Sequence, residues 1–149
     1  MYQGLQQAVR VSAKTEYACL AVFELAGAYA SGEPLRIRQI AGRHRIPSRF
    51  LVQILLQLKG AGLVSSTRGA AGGYRLARPP ERITLWDVMS VIEGLEEGGS
   101  QAAEATAAAH VLAECWREAA AAQREVLRRI TFAALVERAG RPSANMYYI

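Results

Sequence analysis

The sequence predicts a mainly α-helical chain that carries a single two-stranded β-hairpin and a long helix near its C-terminus. Apolar residues recur at helical spacing through most of the chain. A glycine-rich segment separates two short β-prone runs between residues 63 and 76. An Ala- and Arg-rich stretch from residue 107 to residue 130 carries apolar residues at the spacing of a coiled coil.

Size and hydropathy indicate a globular protein. The 149-residue chain is long enough for one domain with a core, and 51% of its residues are hydrophobic, which excludes a disordered chain. No apolar run approaches the roughly 18 residues that a membrane-spanning helix needs. Residues 1–10 lack the basic-then-apolar order of a signal peptide. We therefore expect a cytoplasmic protein with no membrane partner.

The net charge of +5 is unevenly distributed along the chain. Residues 1–82 contain twelve Lys/Arg and four Glu, a balance of +8, whereas residues 83–149 contain six Arg and nine Asp/Glu, a balance of −3. Between Arg36 and Arg82 there are ten basic residues and one acidic residue, Glu81. This division indicates a polyanion-binding half joined to a neutral-to-acidic half, and a basic solvated face is the alternative.

The first three predicted helices fit a helix-turn-helix arrangement. Ser12 can cap a helix that runs to about Ala30, and Gly32 can stop it. A short helix with Ile37, Ile40 and Ala41 breaks near residues 42–45. Pro47 then suits the first turn of an amphipathic helix that is basic at its start and has its apolar residues at 51, 54, 55 and 58. Two helices separated by about four residues are typical of helix-turn-helix proteins.

A β-hairpin follows. Residues 63–68 are predicted to form one strand and residues 74–76 the other, with Gly69, Gly72 and Gly73 supplying the positive φ angles of a tight turn. A glycine-rich loop can also hold a phosphate group, but that arrangement needs a helix after the loop. Here a strand follows, so the sequence favours the β-wing of a winged helix-turn-helix domain.

The remaining sequence predicts a connecting helix, a loop and a long helix. Thr84 and Asp87 form a capping-box-like start for the connecting helix, and residues 94–105 are predicted to be a loose loop. The long helix, from about residue 107 to residue 130, would measure about 36 Å. Its apolar seam has spacings of 4, 3, 4, 3 and 4: Leu112, Trp116, Ala119, Gln123, Val126 and Ile130. We expect a second copy of the chain to cover this seam, and an intrachain core helix is the alternative.

These predictions divide the chain into three parts. Residues 11–82 form the winged helix-turn-helix DNA-binding domain, and residues 83–139 form the connecting helix, loop and dimerisation helix. The second part ends with a short helix from Phe132 to Ala139. Residues 140–149 form a flexible tail.

Several motifs resemble those of the Rrf2 family of bacterial transcriptional regulators. The matching runs are Ser12–Ala18, Ile46–Leu55, Ala61–Val64, Ser66–Leu76 and Ile83–Val88. The match extends through Arg78-Pro79, Trp116–Ala119 and Ile130–Ala133, and the R-G-x-x-G-G-Y-x-L wing is its most specific part. The family includes an iron-sulfur cluster regulator, a nitric-oxide-sensing repressor and a cysteine-metabolism repressor. The resemblance implies a homodimer that binds a palindromic operator and acts as a regulator, most simply a repressor.

The resemblance assigns DNA-contacting roles to specific residues. Ser48, Arg49 and Gln53 would face base edges in the major groove. Val52 stands where similar proteins have a Glu that filters operators by charge, and it can contact a thymine methyl but cannot act as that filter. Arg68 would enter the minor groove from the wing. Six basic residues are candidates for phosphate contacts, and a solvated surface charge is the alternative for each: Lys14, Arg36, Arg38, Arg43, Arg45 and Arg75.

A conventional iron-sulfur cluster is not expected. Many similar proteins hold a cluster with three cysteines before the long helix, but this chain has none in that window, and His110 occupies the place of the third. Cys19 and Cys115 are far apart and form no C-x-x-C unit. Two alternatives stay open: an unusual metal site built from Glu16 and His44 with His110 or Cys19, and a one-thiol switch at Cys19 or Cys115.

The sequence thus favours a cofactor-free DNA-binding regulator whose effector, a partner protein or a small molecule, is unknown. A redox- or metal-gated regulator of the same fold is the alternative. An enzyme is not expected, because paired carboxylates, a Ser-His-Asp order and an H-E-x-x-H motif are all missing from the sequence. A protein-interaction module is also possible, but it would not need the basic segment.

Overall fold

The structure is a computed structural model, and it describes residues 11–94 and 106–140. The described residues form a helical domain with one antiparallel hairpin. In chain order, the elements are α1 (Ala13–Ala28), α2 (Ile37–His44), α3 (Ser48–Gly60), β1 (Val64–Thr67), β2 (Gly73–Leu76), α4 (Leu85–Glu93), α5 (Ala107–Arg128) and α6 (Phe132–Gly140). Short 3-10 turns lie at Tyr29–Ser31 and Pro80–Arg82. The predicted fold class is confirmed.

Helix α1 begins as predicted and ends earlier. The backbone N–H of Thr15 donates to Ser12 Oγ over 3.1 Å, so Ser12 is the N-cap. The helix ends at Ala28 and not at Ala30, because the chain tightens into the 3-10 turn. Gly32 then adopts a left-handed conformation with φ 72° and stops the segment, as predicted.

The turn between α2 and α3 depends on two backbone conformations. Arg45 adopts a left-handed conformation with φ 54°, which ends α2 at His44. Pro47 is the N-cap of α3 and therefore lies one residue before the first turn in which it was predicted. Its carbonyl accepts from the N–H of Phe50 and of Leu51, which begins the helix. The predicted helix-turn-helix is confirmed with these two adjustments.

One hydrophobic core unites the described residues. The apolar face of α3 lies within it, as predicted from the spacing of Leu51, Ile54, Leu55 and Leu58. Val88 of α4 and Phe132 of α6 are fully buried in the same core, where both helices pack against α1. The core therefore draws residues from both sides of the predicted boundary at residue 82, and α4 and α6 support the helix-turn-helix.

The hairpin forms the predicted wing, but one of its glycines has a different role. The strands pair from Val64 with Leu76 to Thr67 with Gly73, so β1 is one residue shorter at each end than predicted. Gly69 and Gly73 have positive φ angles of 105° and 153°. Gly72 does not have a positive φ; a Cβ added there would meet the Thr67 carbonyl oxygen at 2.1 Å. The prediction of a positive φ at Gly72 was therefore wrong, and the glycine is needed for space.

Helix α5 contains 22 residues and ends at Arg128, two residues before the predicted end. None of its residues is fully buried. The indole ring of Trp86 in α4 lies near two of its guanidinium groups, with Cζ of Arg124 at 5.9 Å and Cζ of Arg128 at 5.8 Å from the ring centroid. These cation–π contacts hold one side of α5 against α4.

Helix α6 extends one residue beyond its predicted end, so Gly140 belongs to the helix and not to the tail. Of the predicted loop, Gly94 is the left-handed C-cap of α4, with φ 66°. Residues 95–105 and 141–149, which complete the predicted loop and tail, lie outside the described residues. Among residues 11–94 and 106–140, no helix is both long and apolar enough to cross a membrane.

Candidate nucleic-acid interface

The solvent-facing side of α3 presents the predicted base-contacting residues. All three of Ser48, Arg49 and Gln53 are exposed. Arg49 and Gln53 lie on the side of the helix opposite to its buried stripe, and Ser48 is exposed as the first residue of the helix. The Arg49 guanidinium lies over the Phe50 ring, with Cζ 5.0 Å from the ring centroid. This cation–π contact restrains Arg49 at the first turn of α3. The face can therefore offer a positioned cation and an amide to a partner.

The wing lies beside α3 and is tied to it. Arg68 is exposed and directly follows β1. Lys59 Nζ, near the end of α3, donates to Ser66 Oγ of β1 over 2.7 Å. No local sequence pattern pairs Lys59 with a residue in the following strand, so this contact was not predicted. This contact fixes where the wing begins relative to α3.

Three of the predicted phosphate-contacting residues are exposed near these elements. Arg36 and Arg38 border a cavity of about 370 Å³ that lies between the start of α2 and the wing. Arg45 is exposed in the turn that precedes α3. The structure therefore places these three arginines on the elements that surround the exposed face of α3.

The other three predicted phosphate contacts have partners within the chain. The exposed Arg43 forms an ion pair with Glu24 over 2.8 Å. Arg75 Nη1 donates to the Gly32 carbonyl over 2.9 Å. Lys14 is half-buried, and its charge is one of the causes that lower the pKa of Glu93 at the end of α4. These interactions give the three residues structural roles that the sequence analysis did not foresee.

Helix α5 has two different faces. Its half-buried residues face its own chain: Ala109, Ala113, Arg124 and Leu127. The predicted seam lies on another side, where Leu112, Trp116, Ala119, Gln123 and Val126 are exposed. Trp116 is 69% exposed, a large fraction for a side chain that is mostly apolar. Ile130, just beyond α5, is half-buried.

Both histidines among the candidate metal ligands already have a carboxylate partner. His44 Nε2 lies 2.7 Å from Glu24 Oε1, and His110 Nε2 lies 3.1 Å from Glu114 Oε1. Glu16 is exposed on α1. Across the described residues, no three His, Cys, Asp or Glu side chains come together as a metal site. That the protein functions without a metal stays a prediction.

The two thiols differ in their surroundings. Burial, reinforced by the charge of Glu16, raises the pKa of Cys19 to about 12. Cys115 is exposed on α5. With only these two cysteines in the sequence, and one of them held as a neutral thiol, the donor set of the chain does not fit a cluster bound by three thiolates.

A polar junction joins α1 to α4 and was missed by the sequence analysis. Ser12 Oγ and Thr15 Oγ1 donate to Glu93 Oε1 over 2.7 and 2.6 Å. These hydrogen bonds, that of Thr15 first, hold the pKa of Glu93 below its ordinary value. The donors lie 81 and 78 residues from Glu93 in sequence, so no local pattern pairs them. The junction ties the last residue of α4 to the start of α1.

The arrangement of α2, α3 and the hairpin defines a winged helix-turn-helix protein of the DNA-binding class. An amphipathic helix buries one side and presents cationic and amide groups on the other, and a glycine-turned hairpin places an arginine beside it. The model of the Rrf2 family, described as iron-dependent transcriptional regulator, matches residues 11–138. The chain belongs to the Rrf2 family, so it is a DNA-binding transcriptional regulator and not an enzyme.

Individual relatives agree with this assignment. A Mycobacterium tuberculosis protein named as an HTH-type transcriptional regulator is 39% identical over 129 residues, covering 84% of this chain and 80% of its own. The solved structure of IscR from T. potens has a TM-score of 0.74 and 33% identity, covering 95% of this chain and 98% of that chain. CymR, the global cysteine regulator of B. subtilis, has a TM-score of 0.75 and 31% identity, covering 87% of this chain and 98% of that chain.

Proposed function

We propose that two copies of this chain bind a palindromic operator in the cytoplasm and repress transcription from the adjacent promoter. The two α3 helices would enter major grooves about one helical turn apart, roughly 34 Å. Each wing would reach the neighbouring minor groove. The observation that carries the proposal is that one chain leaves exposed both the cationic face of α3 and the apolar seam of α5.

Base recognition is assigned to the first two turns of α3. Arg49 has the donor fork that guanine accepts, and Gln53 has the amide that pairs with adenine; each contact would contribute roughly 1–3 kcal/mol of discrimination. Ser48 can donate or accept at the start of the helix. Phosphate contacts from Arg36, Arg38 and Arg45 would position the helix without specifying sequence.

The wing supplies the sharpest test of this proposal. Replacing Arg68 with Ala should weaken specific DNA binding on the order of tenfold, because the cation that senses the narrow minor groove is lost. The measurement is a mobility-shift titration at fixed salt with a duplex selected by the wild-type protein. Arg129→Ala is the matched control, since Arg129 is exposed on the other half of the chain and pairs with Glu125. Unchanged affinity of the Arg68 variant contradicts the wing assignment.

We further propose that the regulator works without a thiolate-bound iron-sulfur cluster and responds to a partner protein or a small molecule. The support is the donor set: the chain has two cysteines, and the thiol of Cys19 is held protonated. Protein purified without oxygen should be colourless and should contain less than one iron atom per protein chain. Stoichiometric iron with visible absorption would contradict this and favour the metal-gated alternative through Glu16, His44 or His110.

A further inference from the structure

We propose that Leu56, flanked by Val52, makes the exposed face of α3 a reader of thymine methyl groups. Each half-site would then contain thymines beside the base pairs read by Arg49 and Gln53. This inference rests on the proposed function, because it assumes that α3 enters the major groove. It adds a sequence preference that neither Arg49 nor Gln53 supplies.

Leu56 lies in the middle of the surface that faces away from the core. Arg49, Gln53 and Leu56 are separated by four and three residues, a spacing that places them on one line along a helix. The side chain of Leu56 is 57% exposed, and Val52 at its edge is 39% exposed. The buried residues of α3 occupy the opposite side of the helix. Leu56 therefore continues the line that Arg49 and Gln53 begin, and Val52 lies beside it.

The surroundings of Leu56 indicate what covers it. The sequence from residue 36 to residue 80 contains nine Lys/Arg and no Asp or Glu. A partner that settles on this surface must therefore be a polyanion that also offers an apolar group near the centre of the contact. In the major groove, that group is the C5 methyl of thymine. An apolar protein surface would match Leu56 but would leave the surrounding arginines without counter-charges.

The helix geometry predicts how far the thymines lie from the base read by Arg49. Seven residues separate Arg49 from Leu56, which is about 10 Å along the helix axis. That length corresponds to about three base-pair steps. Gln53 lies between the two. We therefore expect an ordered half-site, with a guanine near the start of α3, an adenine next to it and thymines toward the second and third turns.

The test begins with a duplex chosen by the protein itself. The full-length wild-type chain is used to select binders from a random-sequence duplex library at fixed salt. Each thymine of the selected duplex is then replaced in turn by deoxyuridine, which keeps base pairing and removes only the methyl group. Burying one methyl corresponds to about 0.8 kcal/mol, or about a fourfold change in affinity. We expect deoxyuridine to lower the affinity about fourfold at one or two thymines in each half-site.

Two variants connect those thymines to α3. In Leu56→Ala, the wild-type duplex should bind about fourfold more weakly, and deoxyuridine at the sensitive thymine should cause no further loss. Alanine favours helix, and Leu56 is exposed, so the fold should be retained. Gln57→Ala is the matched control, because Gln57 is the next residue and is exposed off the line of Arg49 and Gln53. It should keep the full response to deoxyuridine.

The possible results separate this inference from the proposed function. The inference is supported if the protein selects a duplex, if removal of a thymine methyl lowers the affinity of the wild-type chain for that duplex, and if this effect disappears in Leu56→Ala. Selection of a duplex whose affinity is unchanged by deoxyuridine, or by Leu56→Ala, overturns the thymine-reading role and leaves operator binding standing. Failure to enrich any duplex, with no salt-dependent binding, overturns the proposed function and the inference together.

Discussion

Cys19 illustrates how the environment of one side chain decides its chemistry. Its half-buried thiol lies on α1, packed against the core, with Glu16 one turn away. Both burial and the nearby carboxylate disfavour the thiolate, and together they raise the pKa of Cys19 to about 12. A redox switch needs the opposite shift, because the thiolate is the reactive form. The structure therefore weighs against Cys19 as the one-thiol switch that the sequence left open.

This gives a prediction for thiol reactivity. At neutral pH, iodoacetamide should leave Cys19 unmodified in the folded protein and should modify it after unfolding in denaturant. Peptide mass spectrometry measures both states, and Cys115, which is exposed on a single chain, serves as the comparison. Rapid modification of Cys19 in the folded protein would contradict the raised pKa.

The same shift predicts how stability depends on pH. The folded thiol stays protonated to about pH 12, whereas an unperturbed thiol ionises near 9.0. Between these two pH values the unfolded state therefore binds fewer protons than the folded state. The contribution of Cys19 to the free energy of unfolding is fully present below pH 9 and is lost as the pH rises toward 12. Denaturant titrations should show a smaller alkaline loss in Cys19→Ala than in the wild-type chain.

At the scale of elements, helix starts were easier to predict than helix ends. Thr84 and Asp87 form the predicted capping box: the Thr84 N–H donates to Asp87 Oδ2 over 2.9 Å, and the Asp87 N–H donates to Thr84 Oγ1 over 3.2 Å. The partners lie three residues apart, so the sequence alone contains the interaction. Helices α1 and α5 each end two residues before the position predicted from the sequence. At these ends a 3-10 turn or a junction with the next element competes with the last helical turn.

The wing gives a prediction for an element. A Cβ at Gly72 would lie 2.1 Å from the Thr67 carbonyl oxygen, a backbone atom that cannot move without distorting the hairpin. Gly72→Ala should therefore destabilise the chain by about 1–3 kcal/mol, the usual cost of overpacking. It should also weaken DNA binding, because Arg68 lies on the distorted segment.

Urea unfolding and mobility-shift titration measure these two effects. Ala71→Gly is the matched control, since Ala71 is the exposed neighbour of Gly72 and its replacement adds no atom. Wild-type stability in the Gly72→Ala variant would show that the hairpin can relax around the added methyl.

At the scale of the whole molecule, the sequence could predict the candidate interface only in part. The buried and exposed sides of α3 and the seam residue Trp116 on α5 follow from periodicity. The DNA-contacting role of Gln53 came from the resemblance to the family and stays a prediction. The contacts that position these faces join distant segments: Lys59 with Ser66, Arg75 with the Gly32 carbonyl, and Glu93 with residues 12 and 15. Such pairs are set by how the helices pack, and a single sequence carries no local signal for them.

The two faces of α5 are the basis for the proposed homodimer. Trp86 holds one side of α5 against its own domain through Arg124 and Arg128. The seam lies on another side of α5 and is not covered by its own chain: Leu112 and Trp116 are 54% and 69% exposed. A coiled-coil-like spacing and an uncovered apolar stripe are best satisfied by the same stripe on a second copy. On this proposal, α5 places two α3 helices at a fixed separation.

Introducing a charge into the seam should therefore abolish both assembly and tight DNA binding. Trp116→Glu would bury two carboxylates in a symmetric interface, at a cost greater than a small helical contact can offset. The variant should sediment as a monomer, and its affinity for the selected palindromic duplex should fall by about 100-fold, because the two half-sites are no longer bound together. Ala121→Glu is the control, since Ala121 is exposed on another side of α5 and should leave a dimer intact. A dimeric Trp116→Glu variant would show that the seam is not the dimer interface, and a monomeric wild-type chain would contradict the proposed homodimer.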